Sequence, residues 1–154
     1  MLSNLLPPLL NFSTSNLLKK VHTLPIQLRF NDTDALGHVN NGTYMAFYDL
    51  GKIAYFEALF GRKIDPQNTG VVVAHLETDY IEPVFLNDDL AVQTRIDHVG
   101  NKSFTLYQQL IDRTTGIVKS TCKVVMVGFD FETKTTQRIS DEWRDAVERY
   151  EQQH

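Results

Sequence analysis

The sequence predicts an α+β domain in which a five-stranded antiparallel sheet wraps around one central helix, with a short helix at the C-terminus. Three observations carry this. Residues 43–60 are apolar at helical spacing and nearly all the way round the helix. An alternating segment precedes them, and four strand-like segments joined by short turns follow. A chain of 154 residues makes one such domain and buries roughly two-thirds of its surface on folding.

In chain order, residues 24–30 (LPIQLRF) place Leu24, Ile26, Leu28 and Phe30 on one side, the period of a half-buried strand. Residues 31–40 are dense in turn formers and end at a helix start, where Asn40 or Asn41 can cap unpaired N–H groups. In the helix that follows, Tyr44, Phe47, Tyr48, Gly51, Ala54, Tyr55, Ala58 and Leu59 recur at three- and four-residue steps. Met45, Leu50, Ile53, Phe56 and Phe60 fall elsewhere on the wheel, so something must enclose the helix. Asp49, Lys52 and Glu57 rule out a membrane span in so short a segment. Gly61 supplies a left-handed helix end.

Beyond a loop at 62–69, residues 70–81 read as a strand that Pro83 ends or places at a sheet edge. Asn87-Asp88-Asp89 signals a turn before Leu90, Val92, Thr94 and Ile96 alternate. Gly100-Asn101 turns into Phe104, Leu106, Gln108 and Leu110, and DRTTG at 112–116 turns into a long strand at 117–129. Residues 141–150 form an amphipathic helix that lays Trp143, Val147 and Tyr150 on the body.

Composition excludes several classes of function. With 42% hydrophobic and 22% charged residues the chain reads as an ordinary globular protein. A net charge of -4 argues against a broad nucleic-acid-binding face. Cys122 is the one cysteine, so no intramolecular disulfide forms, which suits a reducing cytoplasm. It reads as a small buried apolar side chain, not a nucleophile. Before Asp32 there is no acidic residue, and Lys19 and Lys20 follow the apolar run LLPPLL instead of preceding it, unlike a secretory signal. A transit peptide is richer in Arg. Residues 1–20 are therefore expected to be a loosely ordered extension ahead of a domain at 21–154. No segment is long and apolar enough to span a bilayer.

The run Asp32-Thr33-Asp34-Ala35-Leu36-Gly37-His38-Val39-Asn40-Asn41-Gly42-Thr43-Tyr44 resembles the D-x-D-x-x-G-H-V-N-N-x-x-Y signature of the 4-hydroxybenzoyl-CoA thioesterase-like branch of the hotdog superfamily. Asp79-Tyr80-Ile81-Glu82-Pro83-Val84, Leu86-Asn87-Asp88-Asp89-Leu90 and Gly100-Asn101-Lys102-Ser103-Phe104 extend the resemblance, which covers residues 24–131. It implies a helix wrapped by an antiparallel sheet. It also implies homodimers with joined sheets, often paired into tetramers, and active sites at the subunit interface. The implied activity is hydrolysis of an acyl-coenzyme A thioester, with coenzyme A as part of the substrate and no cofactor. The matching catalytic carboxylate is Asp34.

Thioester hydrolysis needs a nucleophile or base, and donors for the charge developing on the carbonyl oxygen. A carboxylate ahead of a helix start serves the first need, directly or through water. Unpaired N–H groups at the positive end of the helix dipole serve the second, and residue-by-residue carry-over assigns this to Asn41 with Gly42 beside it. The thiolate leaves readily, so no metal is required.

The structural alternative for Asp34 is a turn residue that accepts from nearby N–H groups, a role that fits Asp32 better. His38 is expected to hold the loop or touch the acyl group, and Asn40 to cap the helix before it contacts substrate. His75, Glu77 and Thr78 lie on the strand that can border the site in such proteins, with a structural role as the alternative for each. Adjacent strand residues face opposite ways, so Thr78 and Glu77 do not both point inward. A metal site from Asp34, His38 and His75 lacks the spacing of a known ligand set. Arg62, Lys63, Arg95, Lys102 and Arg113 are candidates for the coenzyme A phosphates, with no basis for choosing among them.

Three other readings compete. One is a hotdog protein that binds acyl-CoA without turnover, because fold alone does not decide function. Another is a hydratase or dehydratase, whose Asp/His pattern after the helix is not found. The third is an acyl-carrier-protein thioesterase, which shares the H-V-N-N stretch but carries Asn two residues after the Asp, where this chain has Leu36.

Overall fold

Helix α1 (Asn41–Phe60) is the element around which the others are arranged in the computed structural model, which describes residues 21–65 and 67–153. The extension expected at 1–20 lies outside the described residues. Strands β1 (His22–Pro25), β2 (Val71–Tyr80), β3 (Leu90–Val99), β4 (Ser103–Asp112) and β5 (Val118–Asp130) form an antiparallel sheet in the order β1-β3-β4-β5-β2. A two-residue strand β6 (Thr135–Thr136) adds to β5, and helix α2 (Asp141–Gln153) closes the chain. The hotdog arrangement expected from the sequence is thus present, with β6 as a minor sixth strand.

The alternation of each strand sets one face of the sheet against α1. Cross-strand rows such as Thr94, Gln108, Cys122 and Thr78 face the helix together. From the helix, Tyr44, Phe47, Tyr48, Gly51, Tyr55, Phe56 and Leu59 are buried against that face. Trp143 of α2 stacks edge-on to Phe56 and Phe60, and its indole N–H donates to the Thr69 carbonyl at 2.8 Å. Arg144 fastens α2 to the β3–β4 turn by donating to the carbonyls of Gly100 and Asn101 at 2.8 and 2.9 Å.

Two expectations need correction. The alternation predicts a first strand over 24–30, but β1 ends at Pro25, where the ring removes a ladder donor. Alternating burial persists through Leu28, and then a 3-10 turn (Phe30–Asp32) swings Phe30 out to 79% exposure. The enclosure expected for α1 is also incomplete: Leu50 and Ile53 remain 55% and 41% exposed. The sheet of one chain covers one side of the helix. Among the described residues, no helix is long and apolar enough to cross a membrane.

Gly51 sets how closely α1 approaches the sheet. A Cβ there would lie 2.9 Å from Cβ of Val92 on β3 and still closer to its Cγ1. Val92 is buried in a central strand and its branched side chain has no room to turn aside. Ala favours a helix interior by up to about 1 kcal/mol, whereas overpacking a core costs about 1–3 kcal/mol. Gly51→Ala is therefore expected to lower the unfolding free energy, measured by urea denaturation at matched protein concentration. A variant as stable as wild type would show that α1 is not held at this distance.

Candidate active site

The loop between β1 and α1 is knitted by its own backbone. Isolated bridges pair Thr33 with Val39 and His38 with Phe85. Within it, Asn40 N–H donates to the Asp32 carbonyl and Asp34 N–H to the His38 carbonyl, and Val39 N–H reaches out of it to the Val84 carbonyl, each at 2.8 Å. Gly37 closes the tight turn from Asp34 at φ 79, a conformation that strains any residue with a Cβ.

The two aspartates of the D-x-D have opposite surroundings. Asp32 is buried, accepts the Arg29 N–H at 2.8 Å and meets its guanidinium at 3.4 Å, so it shapes the loop as expected. Asp34 is exposed, and its Oδ1 accepts the Leu36 N–H at 2.8 Å. That is the turn geometry of the structural alternative, and it engages one oxygen only. Oδ2 has no protein partner among the described residues and remains able to take a proton or attack a carbon.

At the helix start, Asn40 is the cap, its Oδ1 accepting the Gly42 N–H at 3.0 Å. Gly42, expected beside Asn41 as a carbonyl-oxygen donor, is thereby engaged by its own cap. The Asn41 N–H has no acceptor among the described residues and points along the dipole of a 20-residue helix. His38 is half-buried with its ring edge-on to Phe85, centroids 5.1 Å apart. Thr78 faces inward and donates to the Thr121 carbonyl at 2.8 Å, while Glu77 faces outward near Lys123. Thr78 also lies 3.4 Å from Ser120 Oγ, which accepts the buried Tyr48 hydroxyl at 2.7 Å. Burial raises the Tyr48 pKa well above its ordinary value, so this row of hydroxyls is neutral.

Two residues that sequence reasoning did not single out touch the loop. Tyr80 donates its hydroxyl to the Asn41 carbonyl at 3.1 Å and packs edge-on to Tyr44. Phe85 supports His38. Alternation predicts which way Tyr80 faces, but not that the helix start lies under it. His75 pairs with Val125 on the sheet face away from α1, and among the described residues no three His, Cys, Asp or Glu side chains gather as metal ligands would. A hollow of about 470 Å³ between the end of β3 and α2, lined by Asp97, Arg144, Glu148 and Glu151, includes no residue of the loop.

Comparison with known proteins converges on one group. The profile of the thioesterase-like superfamily matches residues 28–147. The acyl-CoA thioesterase YbgC of Haemophilus influenzae is 30% identical over 68% of this chain and 79% of its own length. Among solved structures, a predicted thioesterase of Bacillus stearothermophilus superposes with a TM-score of 0.76 at 28% identity, covering 85% of this chain and 96% of its own. A thioesterase of Thermus thermophilus complexed with coenzyme A and Zn superposes with a TM-score of 0.73 at 25% identity, covering 84% and 93%.

Cys122 is buried beneath α1, and burial, followed by the charge of Asp49, pushes its thiol up to about 12. It is neutral and shielded, the opposite of a reactive thiol. In the folded protein Cys122 is expected to react with a disulfide reagent far more slowly than free cysteine, and to become titratable in denaturant. Prompt labelling of the native chain would contradict this burial.

Proposed function

The chain belongs to the thioesterase-like superfamily, and on that premise we propose that it hydrolyses an acyl-coenzyme A thioester to the free acid and coenzyme A. Asp34 is the reacting carboxylate, as nucleophile or as the base that activates water, and the Asn41 N–H steadies the carbonyl oxygen. The observation that carries this reading is that one hydrogen-bonded loop holds the unengaged Oδ2 of Asp34 and the start of α1 together, within the segment the family profile matches.

The chemistry then follows from charge. Attack on the thioester carbon moves electrons onto its oxygen, where an unpaired helix N–H of fixed direction is worth roughly 10²–10³ in rate. As the C–S bond breaks, the electrons leave with sulfur as a thiolate, which takes up a proton from water. Where Asp34 acts as base, the acid forms directly from the attacking water; where Asp34 attacks, the acyl–Asp34 anhydride is then cleaved by water to the free acid and the restored carboxylate. The thiolate is a good leaving group, so we propose no metal or other cofactor. We place the protein in the cytoplasm, in keeping with its single buried thiol.

Asp34 is exposed on one chain, and a carboxylate in open water is a poor catalyst. We propose that a second copy closes the site. Among the described residues strand β2 is a sheet edge ten residues long that bonds only to β5, with Val73 and Leu76 44% and 40% exposed. Antiparallel pairing of two β2 edges would continue the sheet and cover those side chains. Sedimentation should give at least twice the 17.6 kDa chain mass; a monomer at micromolar concentration would remove this part of the proposal.

The activity test is thiol release from benzoyl, short-chain and long-chain acyl-CoAs and from an acyl-carrier protein. Asp34→Asn is the sharper variant, because the amide keeps the Oδ1 acceptor for Leu36 and removes only the charge. Its rate should fall roughly 10²–10⁴-fold, with secondary structure unchanged and with wild-type turnover unaffected by EDTA. No release from any coenzyme A ester by folded wild type would leave acyl binding without turnover, and release from the carrier protein alone would redirect the substrate. An Asp34→Asn variant at wild-type rate would remove Asp34 from the chemistry.

A further inference from the structure

We infer that Lys119 and Asp88 are positioning residues for Asp34, acting through the segment from Pro83 to Asp88; this rests on the reading of Asp34 as the reacting carboxylate. Lys119 lies on β5 where its register with β4 slips, between the pairs Leu110–Ser120 and Ile111–Val118. Such a bulge re-aims the side chain of the extra residue. Here it turns a lysine into the protein: Lys119 is buried, its side chain 9% exposed. The ammonium donates to the Pro83 carbonyl at 3.0 Å and pairs with Asp88 Oδ2 at 3.1 Å. The Asp88 side chain is itself only 16% exposed, and the same Oδ2 accepts the Phe85 N–H at 2.9 Å. The backbone of Lys119 holds the entry to this segment, its carbonyl accepting from Ile81 and Glu82 at 2.9 and 3.1 Å.

The segment so fixed is the one the Asp34 loop rests on. Val84 accepts the Val39 N–H at 2.8 Å, and Phe85 bridges to His38. The His38 carbonyl in turn accepts the Asp34 N–H at 2.8 Å. From the buried ion pair to the reacting carboxylate, each link is a hydrogen bond or a backbone bridge.

Stability alone does not account for a lysine here. A buried ion pair is commonly no better than a well-packed apolar side chain of similar volume, and methionine would fill the same place. Methionine would not reach Pro83 and Asp88 with directed contacts. The pair therefore contributes direction, and direction matters because a displacement of about 1 Å in a reacting group can cost ~10²-fold in rate.

The experiment compares Lys119→Met and Asp88→Asn, each alone and in the Asp34→Ala background. Folded single variants should lose about 10- to 100-fold in kcat with KM for acyl-CoA within about twofold. Amide exchange at Val39 and Asp34 should accelerate while amides of β3 and β4 keep their protection. In the Asp34→Ala background the residual rate should not fall further, because the pair acts through Asp34. Wild-type kcat with unchanged exchange at Val39 and Asp34 would overturn the inference, as would a second fall of equal size in the Asp34→Ala background. If Lys119→Met does not fold, isosteric Asp88→Asn decides by the same readouts. Should Asp34→Ala retain full activity, the catalytic reading fails, while the exchange rates still decide whether the pair holds the loop.

Discussion

The absence of a side chain at Gly51 lets α1 lie directly on β3, and the placing of the helix that opens the site depends on that contact. With the helix this close, Gln108 reaches from β4 to the Tyr48 carbonyl at 2.9 Å and to Thr94 Oγ1 at 3.1 Å. The Tyr48 hydroxyl finds Ser120. These are buried polar groups, and each would cost about 1–3 kcal/mol if left unpaired, so the pairing fixes the helix in rotation as well as height. Its first turn is thereby brought under Tyr80, and the unpaired Asn41 N–H opens where the β1–α1 loop arrives.

That loop shows how environment divides two identical side chains. Asp32 and Asp34 are two residues apart, yet one is buried beneath the chain and the other exposed at its surface. Asp32 turns inward because Arg29 offers it a backbone N–H and a cation, and its cost of burial is offset by both. Asp34 is tied through a single oxygen to Leu36. A carboxylate held at one oxygen and available at the other is oriented without being neutralised.

Much of this was legible in residue order. Period-two alternation in 90–96 and 104–110 predicts β3 and β4, and apolar spacing over 43–60 predicts α1 to within two residues at its start. Asn40, Asn41 and Gly61 mark the helix ends because capping is local chemistry; the structure has Asn40 as the cap and Gly61 in the left-handed region. Phe30 misled because alternation continues through Leu28 and says nothing of a turn that the Arg29–Asp32 contact imposes. Lys119 was invisible for another reason. A lysine in a strand reads as a solvated residue, and only the bulge beside it turns it toward Asp88. Occupation of the Gly42 N–H by Asn40 likewise depends on a rotamer, not on order along the chain.

The proposed assembly and the proposed chemistry are not independent. Phe30 and Leu36, flanking Asp34, are 79% and 78% exposed, and Phe85, against His38, is 45% exposed. Such apolar side chains around a carboxylate are costly to leave in water at roughly 25 cal/mol per Å², and covering them would remove water from Asp34 as well. In that drier setting the dipole of α1 and the charge of Asp34 both act more strongly, because charge interactions strengthen as the dielectric falls. One burial step would then serve two ends. The hydrophobic gain that joins two copies would also raise the electrostatic strength of the site, so the isolated chain, folded as it is, would hold its reacting groups in place without the surroundings that make them effective.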